Sequence, residues 1–198
     1  FNIRGGDVEH TPLPLGYAIV PREGRPTVFL SPEKITNEAG DAIGALGEIA
    51  PPQALEEQLK ALGAGKAKVR LDAATAAAAL ATLIREAGGT PEAGADPVAL
   101  MKARKNEAEL DGARAAHLRD GAAMARFLSW LAREAPKGGL TEIDAVAALE
   151  AERRGTGLLK DVSFTTIAGA GPNAALPHYR VTDSSNRAIE PGIFLVDS

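Results

Sequence analysis

Ser163-Phe164-Thr165-Thr166-Ile167 begins, and Ile193-Phe194-Leu195-Val196-Asp197 ends, the stretch around which this chain is organised. Both runs are rich in β-branched and aromatic residues and predict strands. Between them a segment rich in Gly, Pro and Asn precedes His178. A strand that ends in a carboxylate, near a histidine on a neighbouring strand, is a common start of a metal or acid–base site. We therefore predict a site that contains His178 and Asp197.

The composition indicates a folded protein and excludes several classes of function. Hydrophobic residues make up 45% of the 198 residues, which is enough for a core in one large domain or two small ones. The net charge of -4 argues against nucleic acid as a partner, because phosphate binding needs a basic surface. The chain has no cysteine, so a metal would be bound by Asp, Glu and His, which favours Mn, Co or Zn.

Targeting signals and chain ends give two further expectations. There is no long apolar run and no signal-like start, so we expect a soluble, cytoplasmic protein with no membrane partner. The chain begins with Phe1 rather than Met and stops directly after a strand-like run. We therefore expect a piece of a longer protein.

The first half of the chain predicts a small α/β domain. Short apolar runs separated by Gly, Pro and Asp predict strands at 1–3, 16–20, 27–30 and 68–71. Apolar spacing and capping residues predict helices at 33–48, 52–62 and 73–87. Residues 88–97 have the composition of a linker. We therefore place the domain boundary there and expect domains 1–97 and 98–198.

The second half predicts helices followed by strands. Mainly apolar residues spaced by three or four positions predict a long helix over 102–135. His117 lies on this stripe and is expected in the protein core or at an interface. Thr141 can cap a second helix that ends near Gly155. Strands are predicted at 163–168, 174–179 and 192–197. The fold class is therefore α/β, of the α+β type.

The residue patterns alone leave the chemistry open. His178 is either a strand histidine or a group that exchanges protons near neutral pH, and Asp197 is either a strand-end cap or a metal ligand. His10 lies in a Pro-rich loop and is expected to be structural. The glycines at 169 and 171 do not join a strand to a helix, which excludes a dinucleotide or phosphate-binding loop.

Several stretches together resemble a known family. The most informative read Gly171-Pro172-Asn173-Ala174-Ala175-Leu176-Pro177-His178-Tyr179 and Leu195-Val196-Asp197-Ser198. The others are residues 1–12, 102–107, 116–121, 127–131, 141–142 and 163–167. In this order they resemble the Xaa-Pro aminopeptidases (aminopeptidase P) of the creatinase/methionine aminopeptidase superfamily.

The resemblance implies a fold and a mechanism. A creatinase amino-terminal α/β domain would precede the first part of a pita-bread catalytic domain. That domain binds two divalent ions, most often Mn, through two Asp, one His and two Glu. Asp197 matches the first Asp, and the remaining ligands would lie beyond residue 198. His178 matches the histidine that lies beside the substrate and hydrogen-bonds around the scissile bond.

The resemblance also implies partners and leaves two alternatives. The substrate would be a peptide with proline at the second position, and the family is often dimeric, so a homodimer is expected. The first alternative is a creatinase-like, metal-free amidinohydrolase in which His178 is the base. The second is a non-catalytic protein that keeps the pita-bread fold as a binding module.

Overall fold

The structure is a computed structural model that describes residues 1–198. In it the chain divides into two units between Arg104 and Lys105. The boundary predicted from composition lies seven residues earlier, at 97 against 104. The difference has a local cause. The backbone N–H of Asp96 donates to the Asp72 carboxylate, and Asp96 caps the helix that follows. The segment around residue 97 is therefore tied to the first unit.

The first unit, residues 1–104, contains two small sheets with helices between the strands. Its elements are β1 (Tyr17–Ile19), β2 (Thr27–Phe29), α1 (Asn37–Leu46), β3 (Glu48–Ala50), α2 (Ala54–Ala64), β4 (Lys68–Asp72), α3 (Ala78–Glu86), β5 (Thr90–Gly94) and α4 (Pro97–Ala103). β1 is antiparallel to β2, and β2 is parallel to β3. β4 and β5 form a separate parallel pair.

Two predictions for the first unit were wrong. Residues 90–94 form β5 rather than a linker, although Thr90-Pro91 reads as a turn. Pro91 is tolerated because this sheet has two strands, so each is an edge strand. Residues 1–3 form no strand, and Ile3 instead packs beside Val28, Leu30 and Ile43.

The second unit, residues 105–198, packs two helices against a pair of strands. Its elements are α5 (Glu107–Glu134), α6 (Glu142–Arg154), β6 (Ile167–Ala170) and β7 (Phe194–Asp197). β6 and β7 are antiparallel. The core that joins these elements consists of Phe127, Ala145, Leu149, Ala170 and Ile189. Burial of these side chains supplies the main driving force for packing α5 and α6 on the strands.

Capping residues define the starts of both helices. Asn106 accepts from the Glu109 amide while the Glu109 carboxylate accepts from the Asn106 amide, so α5 begins about five residues later than predicted. Thr141 and Asp144 form the same reciprocal pair at the start of α6, as the cap prediction required. Both helices are therefore fixed by their own sequence.

His117 was predicted to lie in the core or at an interface; the core is wrong, because His117 is exposed, and the interface stays a prediction. The residues of α5 that are fully buried are Ala123 and Phe127. Both lie in the second half of the helix, which packs on α6, whereas the turns around His117 are covered by little else in this unit. The spacing of the sequence identified the apolar stripe of α5, but it did not show how much of that stripe other elements cover.

The predicted strand at 174–179 was also wrong. Residues Gly171–Ala175 form a short 3-10 helix, and Pro177 and His178 form a turn. The mixture of helices and strands agrees with the predicted fold class. No helix of the structure is both long enough and apolar enough to cross a membrane.

Candidate functional site

Asp197 is the last residue of β7 and is exposed. It pairs with Ile167, the first residue of β6, while Ala170 at the other end of β6 pairs with Phe194. The alternating burial of β7 places Phe194 and Val196 against the core and leaves Leu195 and Asp197 on the open face. Asp197 is thus held at a defined strand end with its carboxylate accessible.

His178 lies in the turn that follows the short 3-10 helix, and its side chain is exposed. Its φ of 53° is in the left-handed region, which non-glycine residues adopt uncommonly and histidine more readily than most. The next residue, Tyr179, is buried. His178 is therefore presented to solvent by a turn whose following residue is anchored inside the protein.

No group of three or more potential metal ligands includes His178 or Asp197. The turn with His178 follows the end of β6 at Ala170, whereas Asp197 pairs with the beginning of β6 at Ile167. The two predicted site residues therefore lie on different segments connected to the same pair of strands.

A buried carboxylate organises the segment that contains His178. Glu142, the first residue of α6, is 0% exposed. Its Oε1 accepts from the Ala170 amide at 2.7 Å, and its Oε2 accepts from the Tyr179 hydroxyl at 2.9 Å and the Arg187 amide at 3.1 Å. The Asn173 side-chain amide lies 3.0 Å and 3.2 Å from the two oxygens. Glu142 thus joins four points of residues 170–187.

The hydrogen bonds keep this carboxylate charged. Burial alone would raise the pKa of Glu142, but the donors from its four partners outweigh burial and lower the pKa below its ordinary value of 4.5. Burial raises the pKa of the Tyr179 phenol, and the neighbouring Glu142 carboxylate acts in the same direction. Tyr179 therefore remains a donor to an ionised Glu142.

A second buried charge lies at the other end of α6. Arg153 is 8% exposed and donates to both carboxylate oxygens of Asp120, at 2.7 Å and 3.2 Å. The same guanidinium donates to the Ser198 hydroxyl at 2.9 Å. Ser198 follows Asp197 directly, so Arg153 fixes the chain next to the candidate ligand.

A cavity of the second unit adjoins this cluster. It measures about 480 Å³ and is lined in part by His117, Asp120, Arg153 and Ser198. His178 and Asp197 are not among its lining residues. The exposed His117 therefore faces a cleft rather than the core.

Comparisons with known families match the two parts of the chain separately. Residues 1–109 match the model of the creatinase/prolidase N-terminal domain, and residues 111–198 match that of metallopeptidase family M24. The chain belongs to the creatinase/prolidase family. The resemblance inferred from the sequence and the predicted pair of fold types are confirmed.

Several members of the family are similar over the whole chain. A probable Xaa-Pro aminopeptidase P from Aspergillus clavatus is 37% identical and one from Penicillium rubens is 35% identical, each over 100% of this chain. These matches cover 31% and 33% of those two proteins. This chain therefore spans about a third of the length of these curated relatives.

Solved structures of family members have the same fold. The X-prolyl aminopeptidase from Caenorhabditis elegans, described as a cytosolic enzyme with a di-nuclear active site, is 31% identical with a TM-score of 0.84. That match covers 98% of this chain and 32% of the other. The Xaa-Pro dipeptidase from Bacillus anthracis, 21% identical, has a TM-score of 0.67 over 92% of this chain and 49% of its own. The second likeness shows the fold alone.

The residues of this chain do not by themselves fit a pair of metal ions. Asp197 offers an accessible carboxylate of the kind that divalent cations prefer. No group of three or more His, Asp or Glu side chains that could hold a metal occurs in the chain. One carboxylate cannot hold two ions, so no catalytic step through metal is derived from these residues.

Sequence reasoning missed Glu142 and Arg153, the two buried charges of the second unit. The signal was present in the spacing. The buried residues of α6 are Glu142, Ala145, Leu149 and Arg153, which follow one another by three or four positions. A charged residue in register with an apolar stripe indicates a buried, paired charge rather than a solvated one.

Proposed function

We propose that the full-length protein is a metal-dependent Xaa-Pro aminopeptidase, which releases the N-terminal residue from peptides that have proline at the second position. The observation that carries the proposal is the similarity of the whole chain to X-prolyl aminopeptidase from Caenorhabditis elegans, with a TM-score of 0.84 at 31% identity. The match of residues 111–198 to metallopeptidase family M24 supports the same reaction class.

We assign the substrate role to His178. An exposed imidazole on a conformationally restricted turn can donate a hydrogen bond to a peptide without first being ordered, and preorganised donors stabilise charge in the transition state. The carbonyl oxygen or the leaving amide nitrogen of the bond before proline is the atom that gains such charge during hydrolysis.

We assign Asp197 as one metal ligand of the full-length protein. Its position at the end of β7, on the open face of the strand, supports this role. Two divalent ions, with manganese as the first choice, would be completed by ligands from sequence beyond Ser198. A cytoplasmic homodimer is part of the same proposal, and the description of the Caenorhabditis elegans relative as cytosolic supports its location.

The first experiment measures metal content and hydrolysis in the full-length protein. Purified protein supplied with Mn²⁺ is expected to cleave Xaa-Pro peptides and to leave matched Xaa-Ala peptides intact. Asp197→Asn should lose bound metal and activity. Asp183→Asn is the matched control, since Asp183 is an exposed turn residue with no assigned role. Full metal content in Asp197→Asn would refute the ligand assignment.

The second experiment tests His178. His178→Ala should keep its metal and lose about 10²- to 10⁴-fold in turnover, the usual contribution of one positioned proton donor. Unchanged turnover would contradict the assigned role. Hydrolysis of guanidino compounds that survives complete metal removal would instead support the creatinase-like alternative, and the absence of any hydrolysis would support a binding module.

A further inference from the structure

The carboxylate of Glu142 is buried but accepts no hydrogen bond from its own helix, α6. The start of α6 is already capped by Thr141 and Asp144, whose side chains satisfy each other's backbone amides. A buried carboxylate is costly unless it is hydrogen-bonded. All the donors to Glu142 come instead from residues 170–187, outside α6. The carboxylate therefore acts on that segment.

The segment held by Glu142 contains His178 near its middle. Asn173 lies five residues before His178 and Tyr179 one residue after it, and both contact the carboxylate. The Asn173 amide also donates to the Tyr179 hydroxyl at 2.9 Å. The turn between these two residues is thus closed from both sides onto one buried anchor.

The backbone of His178 shows the effect of this closure. Its left-handed φ of 53° has an energetic cost for a non-glycine residue, which contacts of the flanking chain can offset. The turn has no strand pairing of its own. The contacts from Asn173 and Tyr179 to Glu142 are the buried constraints that flank it, and the Ser185 hydroxyl, 3.0 Å from the Tyr179 hydroxyl, extends them.

We infer that Glu142 is a positioning residue for the reaction, which acts through Tyr179 and Asn173 to fix the turn that presents His178 to the substrate. This inference rests on the proposed function. Glu142 touches neither substrate nor metal, and its effect on catalysis passes entirely through the placement of His178. A carboxylate with only a structural role would lower stability without any specific coupling to His178.

A double-mutant cycle in the full-length protein separates the two roles. Glu142→Gln and Tyr179→Phe each keep the shape of the side chain and weaken the anchor. Each should lower kcat for an Xaa-Pro peptide by about 10- to 100-fold, the usual effect of misplacing a reacting group by about 1 Å. In the His178→Ala background the same substitutions should have no further effect, because the group that they position is absent.

Hydrogen–deuterium exchange gives a readout independent of activity. Amides of residues 171–187 should exchange faster in Glu142→Gln and Tyr179→Phe than in the parent protein. Glu150→Gln is the matched control, because Glu150 lies on the same helix but pairs with the exposed Arg154. It should change neither turnover nor exchange in this segment.

The outcomes are distinguishable. Equal losses of kcat in the parent and His178→Ala backgrounds, or unaltered exchange over residues 171–187, would overturn the positioning role. If His178→Ala keeps full turnover, the proposed function of His178 fails, and exchange alone then decides whether Glu142 anchors the turn. If Glu142→Gln does not fold, Tyr179→Phe completes the same cycle, since it removes only the hydroxyl, with its hydrogen bonds to Glu142 and Asn173, and keeps the buried ring.

Discussion

Replacing Arg153 with methionine should destabilise the second unit far more than the same change at Arg126. Both arginines donate from Nε to a carboxylate oxygen at 2.7 Å, and both pairs join α5 to α6. The side chain of Arg153 is 9% exposed and that of Arg126 is 51% exposed. The two substitutions therefore compare a buried and a solvated ion pair with the same chemistry.

The expected loss follows from the contacts. Arg153 makes three hydrogen bonds, two to Asp120 and one to Ser198. Removing a buried partner of an ion pair usually costs 3–5 kcal/mol because a bare charge remains, but Asp120 is 45% exposed and water can solvate it. We expect a loss of about 2 kcal/mol for Arg153→Met. Arg126→Met should cost at most about 0.5 kcal/mol.

Urea unfolding followed by fluorescence measures the difference. The chain has a single tryptophan, Trp130, which packs against the core of the second unit and reports its unfolding. The midpoint should shift at constant slope, and added salt should abolish the small effect at Arg126 while sparing that at Arg153. Losses that agree within about 0.5 kcal/mol would refute the argument that burial decides the strength of these pairs.

Three further predictions concern the pH response and the packing. Folding lowers the pKa of Glu142, so the stability that the charged carboxylate contributes is present above pH 4.5, its ordinary pKa, and is lost as the pH falls through the folded pKa. In urea titrations the free energy of unfolding of the parent protein should therefore approach that of Glu142→Gln in acid. Phe127→Ala should lower the free energy of unfolding by about 3–5 kcal/mol, since Phe127 is 0% exposed. Gly63→Ala should lower the free energy of unfolding, measured by calorimetry, by about 1–3 kcal/mol. A Cβ at this position would lie 2.5 Å from the Ala87 Cβ and 2.7 Å from the Ile84 carbonyl oxygen. Gly112→Ala is the control and should not destabilise, because a Cβ there meets nothing within 4 Å.

Local sequence rules predicted the elements that carry their own signals. The reciprocal cap of Thr141 and Asp144 defined the start of α6, and the apolar run before Asp197 defined β7. β5 was missed because it is stabilised by pairing with β4, a tertiary contact that outweighs the local preference of Pro91 for a turn. Short strands stabilised by a distant partner cannot be identified from local propensity.

The site was less predictable than the fold because it depends on contacts between distant positions. Glu142 meets Tyr179 across 37 positions, and Arg153 meets Ser198 across 45. The turn at His178 read as a strand because Ala174 to Tyr179 is an apolar run that contains no glycine. In the structure Ala174 and Ala175 belong instead to a short 3-10 helix, and His178 has a left-handed backbone with a φ of 53°, neither of which the local sequence reveals.

The two ends of helix α6 contact the two segments that contain the candidate residues His178 and Asp197. Glu142 contacts the segment that contains His178, and Arg153 contacts Ser198 beside Asp197. The two charges are 11 positions apart on one buried face of α6, or about 16 Å along the axis at 1.5 Å per residue. Since a helix packed on its core moves as a rigid body, a shift of α6 would carry both segments together. Leu149 lies between the two charges on the same face and is 0% exposed, so its packing holds this part of α6 against the core.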